Sequence, residues 1–143
     1  NKSNDVYFLG RSIHHPIALE GALKLKELAY IHAEGMAAGE LKHGTLALVE
    51  EGTPAVIINP NDETYQDTIS NAIEMKSRGA KIIGVSSIND SVYDYWIKIP
   101  EVDKILYPIL EVIPLQILAY YTAIRRKHNP DYPRNLAKSV TVK

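Results

Sequence analysis

The chain has 143 residues, 45% hydrophobic and 23% charged, with 16 Lys and Arg residues against 17 Asp and Glu residues. A chain of this size forms one globular domain, and its net charge of -1 gives no electrostatic basis for binding nucleic acid or an anionic membrane. It has no cysteine, which excludes a disulfide framework, a thiolate zinc site and a cysteine nucleophile.

The first third of the chain begins with a strand followed by a helix. Residues 5–9 form a short β-favouring run that ends at Gly10. Pro16 suits a first helical position and Gly35 suits a helix stop, so we expect a helix over about residues 16–33. Residues 35–50 are expected to form loops and helical turns.

One face of this first helix is expected to pack against the core, because its apolar side chains recur at the helical period of 3.6 residues. The last of them is a histidine, which we therefore expect to be buried and hydrogen-bonded. The predicted core stripe consists of Ala18, Ala22, Leu25, Ala29 and His32.

The rest of the chain continues the alternation of strands and helices. Residues 55–58 are a continuous apolar run, typical of a strand buried on both faces of a parallel sheet. A helix is expected over 63–78, strands over 81–86 and 95–99, and a last helix from Pro108 to about 126. Strand and helix alternation predicts a three-layer α/β/α sandwich around a mostly parallel, doubly wound sheet.

The last helix is apolar nearly all round between residues 109 and 124, with Glu111 as its only charge. It is either deeply buried or half of an interface, and Pro114 is expected to kink it. Because no uninterrupted run of about 18 apolar residues occurs and the start lacks an apolar h-region, we expect no membrane span, no signal peptide and a cytoplasmic location.

Two lysines and a carboxylate could take part in chemistry. Lys24 and Glu27 are three residues apart on a helix and lie side by side, with Glu20 one turn before Lys24. They form either a solvated salt-bridge face or a proton-transfer pair in which burial tunes the carboxylate. Lys138 lies in an apolar stretch of the tail; if desolvated, its amine could form a Schiff base with a ketone, whereas a loose lysine would be inert.

The histidines give weaker signals. His43 follows Lys42 in a loop of small residues, where an imidazole could pass a proton near neutral pH or simply lie at the surface. His14 and His15 follow the first strand, where doubly wound folds present ligand groups. They are adjacent and lack the spacing of metal ligands, so we expect no metal site. No organic cofactor is called for either.

Six blocks of the sequence together resemble the C-terminal half of the isomerase region of glutamine:fructose-6-phosphate aminotransferases, a family built from sugar isomerase (SIS) domains. The resemblance extends over essentially the whole chain. The blocks are 9–11 (LGR), 16–27 (PIALEGALKLKE), 31–35 (IHAEG), 38–44 (AGELKHG), 112–116 (VIPLQ) and 133–142 (PRNLAKSVTV).

This resemblance implies a role in making glucosamine 6-phosphate from fructose 6-phosphate and glutamine, the entry step to amino-sugar synthesis. It implies that His43 opens the sugar ring in the neighbouring subunit of a homodimer, and that Lys138 forms the Schiff base. It further implies that Glu27 moves a proton between the first two sugar carbons and that Lys24 assists at the neighbouring hydroxyl. Ala137 and Lys138 are implied to contact the substrate.

The resemblance also divides the chain into an SIS domain over residues 1–128 and a tail over 129–143 that contributes to the active site. The family's glutaminase domain and first SIS domain are the expected partners within one polypeptide, and they are absent from these residues, so the chain alone is expected to be inactive. Two alternatives stay open: a non-catalytic sugar-phosphate-binding SIS module, and an enzyme that cleaves or isomerises a fructosamine phosphate.

Overall fold

A computed structural model describes residues 5–135 and contains a five-stranded sheet. The strands lie in the order β2-β1-β3-β4-β5, and every neighbouring pair is parallel. This arrangement confirms the predicted α/β fold with a doubly wound parallel sheet. In chain order the strands are β1 (Asp5–Gly10), β2 (His32–Ala37), β3 (Pro54–Ile58), β4 (Lys81–Ser86) and β5 (Tyr95–Lys98).

Helices cover both faces of the sheet and complete the three layers. The helices are α1 (His15–Ala29), α2 (Tyr65–Lys76) and α3 (Tyr107–Arg125). One core joins α1 and α3 to one face of the sheet, and the other core joins α2 to the opposite face. The 3-10 segment Ala38–His43 lies on the α2 side, because its Leu41 is fully buried in that second core.

The structure corrects the predicted end of the first helix and the loop that was expected to follow. The helix ends at Ala29, where Tyr30 adopts a left-handed conformation with φ 55°. Strand β2 then occupies residues expected to be helix end and loop, and it pairs with β1 along six residues. Its sequence, HAEGMA, has little β propensity, so pairing with β1 and burial of alternate side chains decide its conformation.

The same change of direction makes the predicted burial of His32 wrong, whereas its predicted hydrogen bond is present. His32 is exposed on β2, and its Nδ1 lies 2.6 Å from Asp5 Oδ1 on β1. Because side chains alternate along a strand, Ala33 points inward in its place. The other four members of the predicted core stripe are buried, as expected: Ala18, Ala22, Leu25 and Ala29.

Helix α3 is continuous through Pro114 and has two different sides. The inner side repeats every four residues and is buried, and it includes Leu115, Ala119 and Ala123. The stretch Lys104–Arg125 is long and apolar enough to cross a bilayer by length and composition, with 22% of its apolar window buried. That criterion is also met by core helices, so the absence of a membrane span stays a prediction. The large apolar residues exposed on α3 are Ile109, Ile113, Ile117, Tyr120, Tyr121 and Ile124.

Candidate active site

Lys24 and Glu27 form a close ion pair near the end of α1. Lys24 Nζ donates a hydrogen bond of 2.6 Å to Glu27 Oε2, and Glu20 Oε1 lies 3.6 Å from the same nitrogen. The spacings of three and four residues place all three groups on one stripe of the helix. Leu25 and Ala29 face the sheet from the same helix and hold the stripe in place.

This pair is neither fully solvated nor fully buried, since the side chains of Lys24 and Glu27 are 27% and 25% exposed. The hydrogen bond to Glu27 raises the pKa of Lys24, so the lysine remains an ammonium at neutral pH. A carboxylate at this position can take a proton from a substrate carbon, and an ammonium beside it can stabilise a developing oxyanion. Both groups are accessible enough to meet a substrate.

His43 lies in a different part of the molecule. It is the last residue of the 3-10 segment Ala38–His43, its side chain is exposed, and its Nδ1 lies 3.5 Å from Glu40 Oε2. This segment covers the α2 face of the sheet, whereas Lys24 and Glu27 are on α1 at the opposite face. The structure therefore brings Lys24 and Glu27 together but places His43 apart from them. Ala137 and Lys138 lie outside the described residues.

A buried charged cluster, which we call the His14 cluster, was missed in the sequence. It consists of His14, Asp62 and Glu111: His14 Nε2 is 2.9 Å from Asp62 Oδ2, and His14 Nδ1 is 2.7 Å from Glu111 Oε1. Burial alone would lower the pKa of His14, but the contacts with Glu111 and Asp62 outweigh it and raise the pKa above its usual value. The position of His14 after the first strand and a lone glutamate in an otherwise apolar helix were the two signals in the sequence.

The His14 cluster lies at the carboxyl ends of β1 and β3, where folds of this type usually bind ligands. With strand order 2-1-3-4-5, the crevice between β1 and β3 at their carboxyl ends is the usual ligand position. Here the hydrogen bond between His14 and Asp62 ties the turn after β1 to the loop after β3. Asn59, directly after β3, is also buried and donates a hydrogen bond of 3.2 Å to the Tyr93 hydroxyl. The crevice thus contains buried polar groups from the turn after β1, the loop after β3 and α3, of which Asn59 Oδ1 and Glu111 Oε2 have no hydrogen-bond partner among the described residues.

Comparison with known proteins identifies the fold family. The family model described as "SIS domain" matches residues 1–126. The chain belongs to the SIS-domain family. Within residues 5–135, no group of three or more His, Asp or Glu side chains has an arrangement suited to a metal ion.

Among similar proteins, this SIS domain is 56% identical over 140 residues to a glutamine--fructose-6-phosphate aminotransferase [isomerizing] of Thermococcus kodakarensis, covering 96% of the chain and 23% of that protein. It is 54% identical over 144 residues to the Methanosarcina mazei protein of the same name, covering 98% of the chain and 24% of that protein. The chain therefore spans about a quarter of the length of these relatives.

A solved structure agrees with the predicted resemblance. The C-terminal domain of glucosamine-fructose-6-phosphate aminotransferase from Francisella tularensis superimposes with a TM-score of 0.85 at 40% identity. The match covers 92% of this chain and 38% of that one. The comparison confirms that the sequence resembles part of the isomerase region of these enzymes.

Proposed function

We propose that this SIS domain is the second one of a longer glutamine:fructose-6-phosphate aminotransferase, and that it supplies the proton-transfer groups for isomerisation. The observation that carries the proposal is the 2.6 Å contact between the Lys24 ammonium and the Glu27 carboxylate, in a chain that is 50–56% identical to enzymes of that name.

The chemistry assigns one role to each group. The amine of Lys138 adds to the C2 carbonyl of open-chain fructose 6-phosphate, and loss of water leaves an imine. After ammonia from glutamine has replaced the lysine at C2, Glu27 removes a proton from C1 and returns it to C2. The C1 hydroxyl becomes the aldehyde as its proton passes to the imine nitrogen at C2, which becomes the amine, and Lys24 stabilises the negative charge that develops on this oxygen. The product is glucosamine 6-phosphate.

The position of His43 supports a shared active site in a homodimer. Within one copy it lies on the opposite side of the sheet from Glu27 and is exposed. An exposed imidazole can reach a neighbouring subunit, where we propose that it opens the sugar ring. The exposed apolar side of α3 is the surface we propose to be covered in the assembly, because large apolar surfaces are seldom left free. We place the enzyme in the cytoplasm, with a glutaminase domain and a first SIS domain in the same polypeptide.

Reductive trapping tests these roles separately in the full-length polypeptide. Borohydride reduces an imine between fructose 6-phosphate and Lys138 to a stable amine that is located by mass spectrometry. We expect Glu27→Gln to leave trapping intact and to lower glucosamine 6-phosphate formation about 10²- to 10⁴-fold. Glu34→Gln, which neutralises an exposed carboxylate on β2, is the control and should change neither measurement.

Other outcomes would favour the alternative functions. Sugar-phosphate binding without any trapped lysine would indicate a non-catalytic module. Trapping without dependence of turnover on glutamine would indicate an enzyme that cleaves or isomerises a fructosamine phosphate. Robust synthesis of glucosamine 6-phosphate by the 143-residue chain alone, or a native gene product of only 16 kDa, would contradict the proposal that further domains are required.

A further inference from the structure

His43 ends a 3-10 helix of unusual length. The segment Ala38–His43, which we call the His43 segment, has six residues, whereas 3-10 helices rarely exceed three or four. Three residues make one turn, so side chains three apart lie directly above one another. The six side chains therefore form three rows of two.

Two of these rows attach the His43 segment to the rest of the domain. Ala38 and Leu41 form one row and are fully buried in the core on the α2 side of the sheet. Lys42 lies in the second row, and its Nζ is 2.8 Å from Glu74 Oε1 on α2. Because two of the three rows are held in this way, the third row must point away from the domain.

The third row consists of Glu40 and His43. Their side chains are 68% and 71% exposed, and Glu40 Oε2 lies 3.5 Å from His43 Nδ1. In an α-helix, two residues at this spacing would be rotated about 60° from each other. The 3-10 geometry instead places the carboxylate beside one nitrogen of the imidazole, and a small rotation of either exposed side chain closes this distance to a hydrogen bond.

A carboxylate at Nδ1 determines what the other ring nitrogen can do. It keeps the proton on Nδ1, so Nε2 presents a lone pair and acts as a base. Catalytic imidazoles are commonly oriented by a third group in this manner, and such contacts are often long until the substrate binds. Opening of the sugar ring uses one such base: Nε2 takes the proton from the C2 hydroxyl, the bond from C2 to the ring oxygen breaks as the C2 carbonyl forms, and the ring oxygen receives the proton.

We propose that Glu40 is a positioning residue, whose carboxylate orients the His43 imidazole so that Nε2 faces the C2 hydroxyl of fructose 6-phosphate. This inference rests on the proposed function, in which His43 opens the sugar ring in the neighbouring subunit. Glu40 acts through His43 and does not itself touch the sugar.

The test compares two sugars in the full-length polypeptide. The ring of fructose 6-phosphate closes through the C5 hydroxyl, so the 5-deoxy analogue stays open and needs no ring opening. We expect Glu40→Ala to lower kcat/KM for fructose 6-phosphate about 3- to 10-fold, the range of one lost hydrogen bond, and to leave the value for the analogue unchanged. Glu40→Gln should lose less, since its amide oxygen still accepts a hydrogen bond from Nδ1–H.

A spectroscopic measurement follows His43 directly. Nitrogen NMR of the polypeptide with isotope-labelled histidine distinguishes a proton on Nδ1 from a proton on Nε2, and the signal lost in His43→Asn is that of His43. We expect Nδ1 to carry the proton in the parent and Nε2 to carry it in Glu40→Ala. Glu50→Ala, which removes another exposed carboxylate from the same part of the chain, is the matched control and should change neither measurement.

The outcomes separate this inference from the proposed function. Equal losses with both sugars would show that Glu40 supports the fold and not ring opening, and would overturn the inference. Unchanged kinetics in Glu40→Ala, with His43→Asn still impaired on fructose 6-phosphate, would overturn the role of Glu40 and leave the proposed function standing. Full activity of His43→Asn on fructose 6-phosphate would overturn both.

Discussion

His14 Nδ1 lies 2.7 Å from Glu111 Oε1, and neither side chain is exposed to solvent. Asp62 Oδ2 lies 2.9 Å from Nε2, the other nitrogen of the same ring. The His14 cluster therefore links the turn after β1, the loop after β3 and α3 through one imidazole. Two buried carboxylates against one cation make the protonation of His14 important for stability.

Stability is expected to fall as the pH rises above about 6.5, the usual pKa of histidine in an unfolded chain. Because the pKa of His14 is raised in the folded state, its stabilisation is complete below that pH and is lost as the pH passes through the folded value. Asp62 and Glu111 face the imidazole, and the Tyr107 ring lies 6.3 Å away at its edge. Urea unfolding between pH 5 and 9 measures the effect.

Two variants identify the source of this pH dependence. His14→Gln should lower the free energy of unfolding by about 3–5 kcal/mol at pH 6, since it leaves two buried carboxylates without their cation, and it should flatten the profile above pH 6.5. His32→Gln is the control, because His32 also contacts a carboxylate but is exposed. A His14→Gln profile as steep as that of the parent would show that another group is responsible.

The sequence predicted the layers of the fold but missed one strand. Continuous apolar runs such as residues 55–58 and prolines at helix starts such as Pro108 are local signals, and the structure has β3 and α3 there. Strand β2 has no such signal. It forms because Tyr30 ends α1 and the following residues pair with β1. This pairing is a tertiary effect, which the local sequence HAEGMA does not predict.

For a similar reason, the sequence predicted the contact between Lys24 and Glu27 but not the contacts within the His14 cluster. Lys24 and Glu27 are close in sequence, so helical spacing alone brought them together, and the structure has them in contact. The partners in the His14 cluster are 48 and 97 residues from His14 in the chain. Only the doubly wound topology brings those three elements together.

Gly35→Ala tests how closely α1 approaches β2. A Cβ on Gly35 would lie 2.6 Å from Leu19 Cα and 2.7 Å from the Ala18 carbonyl oxygen, so helix and strand would have to separate. We expect a loss of about 1–3 kcal/mol in the free energy of unfolding. Gly39→Ala is the matched control: its nearest neighbour would be the Arg11 side chain at 3.6 Å. Equal stability of the two variants would contradict this close packing.

Lys24→Met separates the chemical and structural roles of the ion pair with Glu27. A partly exposed ion pair contributes about 0.2–1 kcal/mol, so the free energy of unfolding should change little. Product formation by the full-length polypeptide should fall about 10²-fold or more, because the cation that stabilises the C1 oxyanion is gone. Lys26→Met removes an exposed lysine from the same helix and should leave turnover unchanged. Similar losses in both variants would indicate a general effect of charge on α1.

Self-association tests the assignment of the exposed side of α3 to a second copy. Ile113 and Ile117 are both about half exposed, one turn apart on a face with no charged residue between them. Burying an isoleucine contributes about 1.5–3 kcal/mol, and a glutamate at the same place would have to lose its hydration.

We therefore expect light scattering to show a dimer for the parent polypeptide and a monomer for Ile117→Glu, with the circular dichroism of both unchanged. Tyr95→Glu, a change at an exposed position on the edge strand β5, should remain dimeric. If the parent polypeptide is a monomer across the micromolar range, the proposed dimer is wrong. If Ile117→Glu is still a dimer, the dimer interface lies elsewhere, and the exposed side of α3 is instead expected to pack against the preceding domains.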